Sequence, residues 1–131
     1  MEICTLICEP RGKSKPYICP DLLGTDWAYI AGILDGEGCL HYNKKKNGKL
    51  YPKISVGNTH KGLCEWLQMI LGGGFYFQDR SDRKNWNDAW MWVQTSGAAV
   101  YTILSKCLPY LIIKKNKAIE ILQLLSKRLG D

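Results

Sequence analysis

Ile30-Ala31-Gly32-Ile33-Leu34-Asp35-Gly36-Glu37-Gly38, led in by Asp26-Trp27-Ala28-Tyr29, is the stretch on which the reading of this chain turns. Trp27, Ile30, Ile33 and Leu34 recur at helical spacing and require a core. Ala28, Ala31, Gly32 and Asp35 share another face, where small residues at i, i+3 and i+4 let a second helix backbone come close. Asp35 and Glu37 stand at the helix's C-terminal end, where the macrodipole is negative and a carboxylate costs about 0.3–1 kcal/mol. Carboxylates so placed want a cation. The glycines flanking Glu37 bend the chain out of the helix and leave room for a close partner.

The remaining 122 positions of a 131-residue chain fit one compact domain. The net charge is +6, and its distribution says more than its total. No acid occurs between Glu37 and Glu65, whereas Lys44, Lys45, Lys46, Lys49, Lys53 and Lys61 do. A solvated lysine-rich hairpin is the plain alternative; a face for a polyanion is the better reading. No apolar run approaches the ~20 residues that span a bilayer. Ile3–Cys8 is too short for a signal-peptide core and lacks a basic lead-in. The expectation is an intracellular protein without a membrane partner. Its six cysteines then read as small buried residues. Cys4, Cys8 and Cys19 lack a fourth ligand at zinc spacing.

Residues 1–24 mix prolines with basic residues, show no periodicity and read as an irregular arm; residues 25–131 read as the domain. Thr25 or Asp26 is placed to cap the first helix. After Gly38 the period becomes two, giving a strand, a turn at Asn47-Gly48, and a return strand. In the latter Leu50, Ile54 and Val56 face one way and Tyr51, Lys53 and Ser55 the other. Pro52 argues for an edge or a bulge. Thr59 starts a second helix, which Gly72-Gly73-Gly74 ends. Phe75 and Phe77 are expected inward on the third strand, with Tyr76, Gln78 and Arg80 outward. On the fourth, Ala89–Thr95, Trp90 and Trp92 are read as inward. Ser96 caps a third helix that Pro109 breaks, and Ala118, Leu122, Leu125 and Leu129 stripe the last. The class is α+β in the order αββαββα, with a four-stranded antiparallel saddle.

The opening nine residues resemble the motif of the LAGLIDADG homing endonucleases in its Gly-Glu-Gly variant. Leu108-Pro109-Tyr110-Leu111-Ile112-Ile113-Lys114-Lys115 is similar to that family's Pro-aromatic-Leu stretch. The element order matches too, so the resemblance covers about residues 26–128. With one motif in the chain, it implies a homodimer closed by the face of Ala28, Ala31, Gly32 and Asp35. It implies Glu37 as the metal-binding carboxylate, aided by the Gly36 carbonyl, and Lys114 at the periphery of the active site. Asn58 stands where the family often has Gln, one carbon longer. Gly62 stands where many members have Arg, with Lys61 beside it as a substitute.

The implied activity is site-specific double-strand cleavage of DNA at a long pseudo-palindromic target, with Mg2+ or Mn2+ as cofactor. Carboxylate-held cations neutralise phosphoryl charge and lower the pKa of a bound water. The implied DNA-reading set is His41, Asn43, Lys45, Tyr51, Lys53, Ser55, Tyr76, Gln78 and Arg80. The implied setting is intron-encoded, in an organelle (chloroplast or mitochondrion) or a bacterial or phage-infected cytoplasm. The alternative is a non-cleaving protein, either a maturase whose partner is intron RNA or a degenerate DNA-binding relative. An enzyme on a small substrate is the weaker reading, since no cofactor fingerprint occurs.

Overall fold

The computed structural model describes residues 7–8, 17–44, 46, 48–78 and 89–128. Lys45, Asn47, Arg80, Leu129 and Cys4, all used in the sequence reading, lie outside the described residues.

Helix α1 spans Gly24–Glu37, starting two or three residues earlier than a Thr25 or Asp26 cap would allow. Leu23 is the N-cap, and Asp26 works from inside the first turn by accepting the Leu23 N–H at 3.0 Å. A carboxylate in the first turn also suits the helix dipole. Trp27, Ile30 and Leu34 are buried as expected, and Ile33 is half-buried. The full burial of Ile30 and Leu34 is worth about 1.5–3 kcal/mol each. Ala31 is buried with them. It completes the i, i+3, i+4, i+7 stripe of Trp27, Ile30, Ala31 and Leu34, so it packs into its own core and leaves the small-residue face to Ala28, Gly32 and Gly36.

Strands β3 (Gly38–Lys44) and β4 (Leu50–Asn58), helix α2 (Lys61–Leu71), strands β5 (Gly74–Gln78) and β6 (Ala89–Gln94) and helix α3 (Gly97–Cys107) follow. A single 3-10 turn at Leu108–Tyr110 leads to α4 (Lys115–Arg128). The four strands form one antiparallel sheet in the order β3-β4-β6-β5. All four helices contribute to the core on one side of it, where Leu40, Ile54, Val56 and Trp92 meet Ile30, Leu67, Ile103 and Ile121.

Several ends were local enough to read. Ser96 caps α3 by accepting the Ala99 N–H, and the Gly72 N–H closes α2 on the Gln68 carbonyl. Helix α2, however, starts at Lys61 and not at Thr59, because the His60 ring is the cap. On α4, Ile121 joins Ala118 and Leu125 in the core, and Leu122 is only half-buried. Trp92 is fully buried, and Trp90 shares its face. Phe77, expected inward, is on that same face but 52% exposed, since β5 is the edge strand and Phe77 lies towards its open end.

The arm is not wholly irregular. Ahead of α1, β1 (Ile7–Cys8) and β2 (Tyr17–Ile18) pair antiparallel and pack on α3. Tyr17 Oη donates to the Leu71 carbonyl at 2.9 Å, and Cys19 is buried in the core. Burial, and next the Cys19 thiol, push the Tyr17 pKa far up.

Candidate active site and nucleic-acid interface

Glu37 is the last residue of α1 and Gly38 the first of β3. A Cβ on Gly38 would lie 2.7 Å from Leu34 Cα and 2.8 Å from the Leu34 carbonyl oxygen. Only glycine allows so abrupt a passage from helix to strand, and that passage leaves the Glu37 side chain exposed at the junction.

Asn58, the last residue of β4, donates from Nδ2 to Glu37 Oε2. Its own oxygen is fixed by the His60 N–H at 2.7 Å, which turns the amide NH2 towards the carboxylate. His60 in turn caps α2, its Nδ1 accepting the Leu63 N–H at 3.2 Å. That bond assigns the ring proton to Nε2. The cap accounts for glycine at position 62: a Cβ there would sit 2.9 Å from His60 Cε1. At position 62, where the sequence resemblance implied an arginine, this chain makes room for an imidazole. Lys61 is beside it, its ammonium 4.9 Å from the centroid of Trp90, and Trp90 is the ladder partner of Asn58.

Lys114 approaches from the far side. Its ammonium donates to the Asp35 carbonyl at 2.7 Å, capping a helix whose own last turn has no basic residue. Asp35 completes the joint: its carboxylate accepts the N–H groups of Ile112 at 2.8 Å and Lys114 at 3.0 Å. Burial raises the Asp35 pKa, but the backbone N–H groups of Ile112, Lys114 and Ile113, with the Lys114 charge, outweigh it and hold the carboxyl below its ordinary value. Asp35 was expected on the dimer face; its side chain is spent tying α1 to the start of α4. That role required a contact between residues 77 and 79 positions apart, which no local pattern announces.

The ladder registers sort the sheet into two faces. Directly opposed residues share a side, so His41 and Lys53, Asn43 and Tyr51, and Cys39 and Ser55 all lie on the face away from the helices. Tyr76 and Gln78 lie on it too, opposite Met91 and Ala89. His41, Asn43, Tyr51, Lys53, Tyr76 and Gln78 are exposed, whereas Ser55 is buried at 7% by its neighbours on both sides. His41 Nε2 and Asn43 Oδ1 are 2.9 Å apart, pairing two residues of that face. Lys45 and Arg80 lie outside the described residues. Sequence reasoning missed His60, Trp90 and Met91 as neighbours of the site. A polar residue three positions before Leu63 was the available signal for His60. The other two needed the β4–β6 register.

Solved structures share this fold. The homing endonuclease I-CvuI in complex with its target superposes with a TM-score of 0.64 at 23% identity, over 82% of this chain and 69% of that one. For the archaeal intron-encoded homing endonuclease I-Vdi141I complexed with DNA the TM-score is 0.58 at 18% identity, covering 78% and 67%. The LAGLIDADG meganuclease I-CpaMI, bound to uncleaved DNA, gives 0.59 at 17% identity over 80% of this chain but only 39% of its own. No family model and no curated protein sequence matches the chain. The chain has the LAGLIDADG homing-endonuclease fold, as the sequence resemblance implied.

Proposed function

We propose that the chain is a site-specific, divalent-metal-dependent DNA endonuclease that works as a homodimer in the intron-encoded manner. The observation that carries this reading is Glu37: an exposed carboxylate, gripped by Asn58, at the rim where α1 meets the outer sheet face. A protein that only binds a polyanion gains nothing from an acid held at that edge. Glu37 and the Gly36 carbonyl, one of the last four of α1 and so without a helical partner, are hard oxygen donors that suit Mg2+ or Mn2+. When bound, such an ion would offset charge on the phosphoryl group and acidify a water. The protein's own part is to orient: His60 fixes Asn58, Asn58 fixes Glu37, and Lys61 waits beside them on Trp90. Among the described residues no three His, Cys, Asp or Glu side chains gather into a metal-binding group. Among the described residues Glu37 is the exposed carboxylate at this junction, Asp35 being turned to the Ile112 and Lys114 N–H groups, and a second copy would contribute another.

Support for the second copy comes from the glycines. A Cβ on Gly32 or Gly36 would meet nothing within 4 Å, and both residues are exposed. Gly32, in the helix interior, costs the helix about 1 kcal/mol relative to alanine, and it touches nothing in the chain that would require a glycine. A helix from a second copy crossing closely supplies that requirement. The second reading, a non-cleaving binder of DNA or intron RNA, is favoured by one fact: the Lys114 ammonium is already engaged by the Asp35 carbonyl.

The test uses duplexes enriched by the protein from a random-sequence pool. Wild type in Mg2+ is expected to cut both strands. Glu37→Gln is expected to bind as well or slightly more tightly and not to cut. Cutting by Glu37→Gln at near the wild-type rate overturns the catalytic assignment. Tight binding without cutting by wild type leaves the binder.

A further inference from the structure

The outer sheet face is polar at its ends and apolar in its middle. Two cross-strand rows make up that middle: Cys39–Ser55–Val93–Gly74, and beside it Gly57–Met91–Tyr76. The rows are built around their glycines. Met91 lies over Gly57, where an added Cβ would come within 2.8 Å of the Met91 sulfur. The Tyr76 ring leans over Gly74, where an added Cβ would be 2.7 Å from Tyr76 Cε2 and Cζ. Val93 stands between them, half-buried, and the Ser55 hydroxyl is covered. The result is a low apolar floor of thioether, isopropyl and ring edge. It is flanked by His41, Lys53 and Gln78, which are exposed and can hydrogen-bond.

We propose that Met91 and Val93, with the Tyr76 ring, form a contact site for thymine C5-methyl groups in the major groove. This rests on the DNA-binding reading above. The C5-methyl is the apolar group that a base pair displays in that groove; the other edges are donors and acceptors. A cytosine amine or a guanine oxygen set over Met91 and Val93 would lose water and find no partner on the thioether or the isopropyl group; the Tyr76 hydroxyl lies to one side, over Gly74. The Lys53 ammonium on the flank, with the lysines of the same hairpin at positions 44, 46 and 49, selects a polyanionic duplex over an uncharged protein surface as the occupant. The site also has a defined place along the DNA. Met91 opposes Gly57, next to Asn58, and Val93 opposes Ser55, whose other partner Cys39 is two residues past Glu37. The thymines read here belong to the base pairs that lie next to the Glu37–Asn58 junction.

The test starts from a duplex enriched by the full-length protein from a random-sequence pool. Each thymine is replaced in turn by deoxyuridine, which removes the methyl and nothing else, and binding is followed by fluorescence anisotropy. One or two positions in each half-site are expected to weaken about fourfold, the ratio for burying one methylene-sized group. Met91→Gln and Val93→Asn, on the outer face, are expected to bind thymine and deoxyuridine duplexes alike at those positions. A deoxyuridine scan of the wild type with no sensitive position overturns the inference without needing a variant. So does a methyl effect that persists undiminished in both variants. A pool that yields no enriched sequence overturns the DNA-binding reading and this inference with it, whereas an enriched site indifferent to its methyls overturns this inference alone.

Discussion

Lys114 and Lys115 are adjacent, but their surroundings differ. Lys114 is part-buried with its ammonium on the Asp35 carbonyl, at the end of α1 that also carries Glu37; Lys115 is exposed on the first turn of α4. A cation fixed there stabilises negative charge that develops nearby without having to reorganise. Lys114→Met is therefore expected to lower the single-turnover cleavage rate by about tenfold or more, with little change in affinity. Lys115→Met is expected to change neither. Equal, small effects from the pair would reduce Lys114 to a helix cap. At this scale the sequence was half legible. Glu37 and Asn58 were named from the family resemblance and are found hydrogen-bonded to each other. Ala31 proves to be buried in the chain's own core, as its spacing with Trp27, Ile30 and Leu34 allows. The hydrogen bonds of Asp35 could not be read, because its partners lie on a distant segment.

The joint between α1 and α4 belongs to the scale of elements. Asp35 serves two N–H groups ahead of α4, the work of an N-terminal cap, while Lys114 serves the C-terminal end of α1. Asp35→Ala is expected to cost about 1 kcal/mol at neutral pH, the usual worth of a capping side chain. The sign of the pH dependence follows from the lowered folded pKa. A depressed carboxylate contributes stability above its unfolded pKa of about 3.9 and loses it as the pH falls through the lower folded value. The gap in melting temperature between wild type and Asp35→Ala should thus close on acidification below about pH 4. Thermal melts that keep the gap constant with pH would show that the charge plays no part. Element ends such as Ser96, Gly72 and Pro109 were readable because the interactions that set them are local. The sheet order was not, because the β4–β6 pairing joins strands separated by a helix and a further strand.

For the whole molecule the question is how many copies act together. The small-residue strip of half-buried Ala28 and exposed Gly32 and Gly36 runs down α1, with Tyr29 edge-on to Trp66 beside it at 5.6 Å. Light scattering at micromolar protein is expected to give about twice the chain mass of 14.9 kDa. Gly32→Leu, whose side chain enters open space in the single chain, should give the monomer mass with its helical circular dichroism intact. A wild-type monomer both with and without DNA would refute the dimer. The architecture was legible before any coordinates, because αββαββα order and hydrophobic period are properties of the sequence itself. Which faces stay open was not, since that depends on how all four helices share one side of the sheet.

The sheet's ladders are of unequal length, and this has a mechanical consequence. Strand β3 accompanies β4 from Leu50 to Val56, but the β6 ladder begins only at Ile54, so His41, Asn43, Tyr51 and Lys53 ride on a two-stranded overhang. Pro52, without an N–H to offer, sits within it. A two-stranded ribbon twists and bends more readily than a sheet braced on both sides. Contacts made from the overhang can follow a distorted groove, whereas those made from the braced rows near Asn58 cannot. Target recognition should accordingly be graded, strict near the cut and forgiving towards the ends. In a scan of single base-pair changes across an enriched site, inner changes should cost about 1–3 kcal/mol and outer ones less than about 1 kcal/mol. The compliance of one hairpin would then set how far a target can drift in sequence before the protein ceases to accept it.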